Sequence, residues 1–213
     1  MTSKDLSTIA SVTLDVADTE AAQRFYSAAF GLGARLRLRA AEAPSTGFRG
    51  FTLSLVVAQP ADVDALVGAA LEAGATALKP ASKSMWGYGG TVQAPDGNVW
   101  KIATSAKKNT GPATKHVDQF VVLLGVADVG ASKRFYVEHG LAVGKSFGPM
   151  YVEFATAEES PVKLGLYRRR ALAKDAGVSP EGTGPHGLAV TGTLGAFTDL
   201  DDYLWEAPVP AAA

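Results

Sequence analysis

The chain has no cysteine among its 213 residues. That removes disulfides, thiolate nucleophiles, iron–sulfur clusters and thiolate metal sites together. Histidine is almost as scarce: the three stand at 116, 139 and 186, so the first 115 residues contain none. No run approaches the roughly 18 apolar residues of a membrane span. The opening MTSKDLSTIASVTL lacks the basic region and apolar stretch of a secretory signal. Basic charge is not in excess, with 20 Lys and Arg against 21 Asp and Glu and a net charge of −1, so nothing is available to neutralise a phosphate backbone. These absences predict a cytoplasmic protein with neither a nucleic-acid nor a membrane partner. What is present is enough apolar material for a core, 47% of residues, in a length that suits one large domain or two small ones.

The chain repeats itself. Residues 14–26 read LDVADTEAAQRFY and residues 124–136 read LGVADVGASKRFY, identical at eight of 13 positions with a constant offset of 110. A second pair, PDGNVWK at 95–101 and LDDYLWE at 200–206, lies near the end of each half. This predicts a tandem duplication: a first unit over 8–106, a polar linker over 107–115 containing KKNTGPATK, and a second unit over 116–210.

Each half reads as mixed α and β. Val12, Leu14 and Val16 alternate with polar residues as a half-buried strand, and Asp18 is placed to cap a helix whose apolar stripe is Ala21, Phe25 and Ala28. Leu36 and Leu38 alternate with Arg35, Arg37 and Arg39, giving a strand with a cationic outer face. GFTLSLVV (50–57) reads as a buried strand, and Pro60 suits the first turn of a second helix that Gly74 ends. Strands follow near 76–79, 89–93 and 98–103. The second half repeats the opening strand and helix (119–126, 129–139) and adds strands near 142–146, 150–155, 162–167 and 186–192, with a short helix over 168–177. The copies are unequal: the first half lacks two strands after its second one, and the second half has no room for a helix after HGLAVTG.

Leu14, Val16 and Asp18, then Phe25, Tyr26 and Gly31, and the closing turn Pro95-Asp96-Gly97-Asn98-Val99-Trp100 together resemble the vicinal oxygen chelate superfamily, which includes glyoxalase I, bleomycin-resistance proteins and extradiol dioxygenases. The resemblance covers about residues 9–206. It implies an α+β fold of paired βαβββ modules whose mixed sheets curl around a cleft, with two of the modules truncated here.

In metal-using members of that superfamily a His or Gln stands on the opening strand and a Glu follows the aromatic of the final strand. Carried over, those positions in the first half are Ser11 and Lys101, and a Lys in place of a carboxylate repels a metal, so no metal is expected there. In the second half the opening position is Val121. His186 and Glu206 fall where ligands would, and Gln119 shares the strand face of Val121. Two ligands of three make a degraded site, and the expected state is no cofactor. The alternative is a divalent Fe, Mn, Ni or Zn ion on His186, Glu206 and Gln119, with Glu206 catalytic.

A metal-free cleft binds organic molecules through apolar and aromatic walls. Trp86 and Tyr88, set among glycines with Lys83 beside them, form one candidate wall. Phe147 and Tyr151 form a counterpart, with Tyr167 alongside. Arg49, beside a buried strand, is a candidate anion clamp, whereas Arg168–Arg170 read as a solvated helix start. No Gly-rich phosphate loop or Gly-x-Ser-x-Gly turn is present. The sequence thus predicts a monomeric or homodimeric binder of a hydrophobic or aromatic small molecule, with a resistance or sequestration role. The alternatives are a metal-dependent lyase, isomerase or dioxygenase, and a non-catalytic interaction module.

Overall fold

The computed structural model describes residues 6–208; the first five residues and the predicted boundary at 210 lie outside them. Four modules follow one another along the chain. The first consists of β1 (Ile9–Val16), α1 (Thr19–Ala29), a 3-10 turn at Gly33–Arg35 and β2 (Leu36–Ala40), followed by the short β3 (Thr46–Gly47). The second is β4 (Phe51–Val56), α2 (Pro60–Glu72), β5 (Thr76–Ser84), β6 (Gly87–Gln93) and β7 (Val99–Thr104). The third is β8 (Gln119–Val126), α3 (Val129–Glu138), β9 (Ala142–Phe147), β10 (Tyr151–Ala155) and β11 (Val162–Arg168). After α4 (Arg169–Ala176) and the short β12 (Gly182–Thr183), the fourth has no helix: β13 (Leu188–Gly192), β14 (Phe197–Thr198) and β15 (Leu204–Glu206).

Strand pairing repeats one rule. The closing strand of every module lies parallel to its opening strand: β2 to β1, β7 to β4, β11 to β8 and β15 to β13. In the second and third modules an antiparallel hairpin then flanks the closing strand, β6 with β5 and β10 with β9. The two complete modules join through β4 and β8, antiparallel with Ser54 opposite Val121. The two truncated modules, first and last in the chain, join through β1 and β13 with Ser11 opposite Thr191. The unequal copies therefore pair like with like, and each curl of the sheet draws on both halves. A single contact, Ile9 opposite Val162, fuses the two curls into one mixed sheet.

Alternation sends one face of the sheet into the core under α1–α3. Val12, Leu14, Leu53, Leu55, Trp100, Ile102, Phe120, Val122, Leu164 and Val190 are all fully buried there. The same core explains the sequence repeat. Tyr26 packs on Trp100, and its hydroxyl donates to Asp96 Oδ2 at 2.6 Å. Tyr136 packs on Trp205, and its hydroxyl donates to Asp199 Oδ2 at 2.5 Å. The tryptophans correspond as the sequence pairing suggests. The matching carboxylates do not: they stand four residues before Trp100 and six before Trp205, because the second turn is longer.

Burial pushes the Asp199 carboxyl up, opposed by the hydrogen bonds it accepts from Tyr136 and the backbone of Tyr203 and Asp201. The carboxyl thus keeps its proton to higher pH in the folded chain than in the unfolded one. Its contribution to stability is full below the ordinary carboxylate value, about 3.9, and is lost as pH rises through the raised one. The stability of Asp199→Asn in urea unfolding should therefore gain on the wild type as pH climbs above about 4; a pH-independent difference between the two would contradict this.

The 107–115 segment is stitched to the start of α2. Gln59 Oε1 accepts Thr110 N at 2.7 Å and Gly111 N at 3.0 Å, and Asp62 Oδ1 accepts Thr114 N at 2.7 Å. Both side chains are buried. The segment that reads as a polar linker is therefore hydrogen-bonded to the packed structure.

Candidate functional site

The sheet face turned away from α1–α3 is where opening and closing strands present their polar residues. In the complete curl the strand registers place Lys101, Ser54, Val121 and Lys163 in one row across β7, β4, β8 and β11. In the truncated curl the corresponding row is Ser11, Thr191 and Glu206 across β1, β13 and β15. Register thus assigns the opening position of the last module to Thr191, five residues beyond His186. Only Glu206 on either row has a side chain of the superfamily's metal-ligand set.

The other proposed ligands stand apart from it. His186 precedes β13 and stacks on the Tyr203 ring at 4.0 Å. Its Nδ1 faces the carbonyl of Arg49 and its Nε2 faces that of Asp201, at 2.9 Å for the second. Neither ring nitrogen is turned toward Glu206. Gln119 is exposed and belongs to the complete curl. Glu206 itself accepts from Arg39 Nη1 at 2.8 Å, while Arg39 Nε donates to Asp15 Oδ1 at 2.7 Å. The cationic face of β2 expected on the outside is therefore, at Arg39, a bridge across the inner face. These two carboxylate bonds hold the guanidinium further into its charged range than usual. Among the described residues no group of three or more His, Asp or Glu could hold a metal ion.

The inner face of the complete curl is covered. Leu172 and Ala173 of α4 are buried and pack with Phe48 against Leu123 and Tyr167. Lys101 Nζ pairs with Asp175 at 2.6 Å, and Lys79 Nζ donates to the carbonyls of Lys174 and Asp175. Arg169, expected to start a solvated helix, turns inward instead: Nη2 donates to Phe48 O at 3.1 Å, and the guanidinium lies over the Phe48 ring. Gly50 is needed at this junction. Its φ is +92°, and a Cβ there would stand 2.6 Å from the Tyr203 hydroxyl, which donates to the Gly50 carbonyl.

The proposed aromatic walls do not converge. Trp86 is 84% exposed at the tip of the β5–β6 hairpin. Tyr88 faces α2, its hydroxyl donating to Asp64 at 2.8 Å, and Lys83 is its cross-strand partner. Phe147, Tyr151 and Tyr167 do come together as a row on the inner face, with neighbouring centroids 6.0 and 5.7 Å apart. Burial, and then Glu153, pushes the Tyr151 hydroxyl up. Phe147 at the end of that row is 65% exposed.

A cavity of ligand size lies elsewhere. About 680 Å³ opens between α1, the 41–45 loop and the β6–β7 turn, with walls that include Ala21, Ala28, Phe25, Pro44 and Arg49. Its size falls within the range of small-molecule sites. Arg49 donates to the carbonyls of Asp96 at 2.9 Å and Asp15 at 3.2 Å, and reaches the Asn98 amide oxygen at 3.5 Å. None of these acceptors is a carboxylate, so the guanidinium forms no ion pair there. Sequence reasoning found Arg49 but not this cavity. Nearly half of its lining residues are alanines, which carry no chemical signature, and the walls meet only once the chain folds.

A continuous sheet of parallel opening and closing strands, carried by modules that pair two by two, three of them opening with a βα unit, defines the fold. Residues 11–103 match the family model of the glyoxalase-like domain. Solved structures share the fold. A mutant form of glyoxalase I from Zea mays superposes with a TM-score of 0.61 at 15% identity, covering 95% of this chain and 94% of that one. A putative dioxygenase from Bacillus subtilis gives 0.61 at 11% identity, covering 99% and 87%. A comparison with curated protein sequences finds no match. Among the described residues no helix is long and apolar enough to cross a membrane.

Proposed function

We propose that this protein binds an apolar or aromatic small molecule without a metal, in the cavity between α1 and the 41–45 loop. The observation that carries the proposal is the cavity itself: about 680 Å³, lined mainly by alanines, prolines and Phe25, with Arg49, which has no carboxylate partner, among the polar residues Asp18, Arg24, Ser45 and Asp96 that complete the lining. A ligand with an anionic group would place that group on Arg49 and its flat apolar body along Ala21 and Ala28. Sequestration of such a molecule, as in a resistance protein, follows from binding without chemistry. Cytoplasmic residence and a monomeric or homodimeric state belong to the same reading.

The absence of a metal is supported by what surrounds the two sequence-matched ligands. The His186 ring nitrogens face backbone carbonyls, and Glu206 is bonded to a guanidinium. The residues present do not fit the superfamily's divalent ion, and no catalytic step is derived through one.

The test uses anilinonaphthalene sulfonate, an aromatic anion of suitable shape, titrated by fluorescence. One saturable site is expected. Ala21→Trp, at an exposed helix position on the cavity wall, should abolish it. Arg49→Met should weaken it about tenfold, the scale of a lost charge-assisted hydrogen bond. Undiminished binding in Ala21→Trp would remove the cavity from the proposal.

A further inference from the structure

The module rule leaves one strand without its neighbour. β7 is flanked by β6, β11 by β10 and β15 by β14, each antiparallel. β2, the closing strand of the first module, pairs with β1 alone among the described residues. Its outer edge is thus a row of main-chain donors and acceptors at the position where the complete modules carry a hairpin. The other edges are poorer templates: β5 has Pro80 and two register shifts, β9 pairs across an irregular register, and β14 has only two residues.

Both faces flanking that edge carry recognition features. On the side of α1, a second cavity of about 360 Å³ is lined by Leu36, Leu38, Leu32, Tyr26 and Gln23. On the opposite side Arg37 is exposed and belongs to no ion pair among the described residues, whereas Arg39 is already bridged to Asp15 and Glu206. An added strand points alternate side chains to opposite faces. Apolar residues would enter the Leu36–Leu38 cavity while the residues between them meet Arg37.

We infer that β2 is a docking edge for an extended peptide segment, antiparallel to it, in which apolar residues alternate with carboxylates. Main-chain hydrogen bonds supply affinity, and the cavity and Arg37 supply selectivity. A second copy of this chain is a poor occupant. Antiparallel self-pairing of β2 sets Arg37 opposite Arg37 or Arg39 of the other copy, and like charges directly opposite are destabilising.

The probe is a short synthetic peptide alternating glutamate and leucine, followed by fluorescence polarisation and by amide exchange of the intact protein. Binding should slow exchange of amides in Leu36–Ala40. Arg37→Glu, an exposed change, should weaken binding at least about tenfold through charge reversal. A lysine–leucine peptide should not bind, and neither should a glutamate–leucine peptide N-methylated at alternate residues, which keeps its side chains but loses edge donors. No binding by the unmethylated acidic peptide, equal binding by the methylated one, or edge protection appearing only through self-association of the protein would each overturn the inference.

Discussion

Trp205→Ala should lower the unfolding free energy by about 3–5 kcal/mol, the scale for emptying a buried aromatic site. Trp205 is fully buried and stacks on Phe197 at 5.3 Å with an interplanar angle of 11°. It also touches Tyr136, whose hydroxyl accepts a hydrogen bond from the indole Nε1–H at 3.1 Å and donates one to Asp199. Truncation therefore leaves a void and breaks a buried chain of hydrogen bonds, whose groups are costly to leave unpaired. β15 has only three residues and the fourth module has no helix, so Trp205, with the buried Tyr203 beside it, is a large share of what β15 and its turn put into the core. Trp205→Phe should fall between, keeping most of the volume but losing the indole donor. Chemical denaturation followed by far-ultraviolet circular dichroism measures both. A loss below about 1 kcal/mol for the alanine variant would mean that the last module is not part of the cooperative core.

Much of this architecture is legible in the sequence because it is periodic. Asp18 caps α1 by accepting Ala21 N, Pro60 opens α2, and the strands near 89–93 and 98–103 are β6 and β7. The absence of a helix after HGLAVTG and the shortened first half are both real. Which modules pair is not legible, since pairing depends on strand edges that meet across the whole chain. The site was harder to read. By resemblance His186, at the head of a strand-like run, falls where a ligand would stand, but a ligand's place is set by register, and register puts Thr191 beside Glu206. Trp86 and Tyr88 look like one wall at a spacing of two, yet Trp86 occupies the turn itself, where alternation does not hold. Arg39 offered no clue at all: its two carboxylate partners are 24 and 167 residues away in sequence.

Arg39→Ala should convert the inner face of the truncated curl from a site that holds its own cation into one that seeks an external one. In the wild type the guanidinium lies within 2.7 Å of Asp15 Oδ1 and 2.8 Å of Glu206 Oε1. A divalent ion on Glu206 would have to share that space with a permanent positive charge that cannot be lost by deprotonation. Removing it leaves two carboxylates with no counter-charge, and their mutual repulsion is relieved by protonation or by a metal ion. Stability at neutral pH should fall by about 1 kcal/mol, as expected for partly exposed ion pairs, and be recovered as Mn²⁺ is added. Two carboxylates alone bind hard cations weakly, so the dissociation constant should be on the order of millimolar. Manganese paramagnetic resonance reads the bound fraction directly, and the double variant Arg39→Ala with Glu206→Gln should lose it. The wild-type protein, by contrast, should neither be stabilised by Mn²⁺, Ni²⁺, Fe²⁺ or Zn²⁺ nor carry them after purification without a tag or chelator. Stoichiometric metal in the wild type that disappears in Glu206→Gln would mean that Arg39 swings away from Glu206 in solution. The metal-free reading of the site would then have to be abandoned.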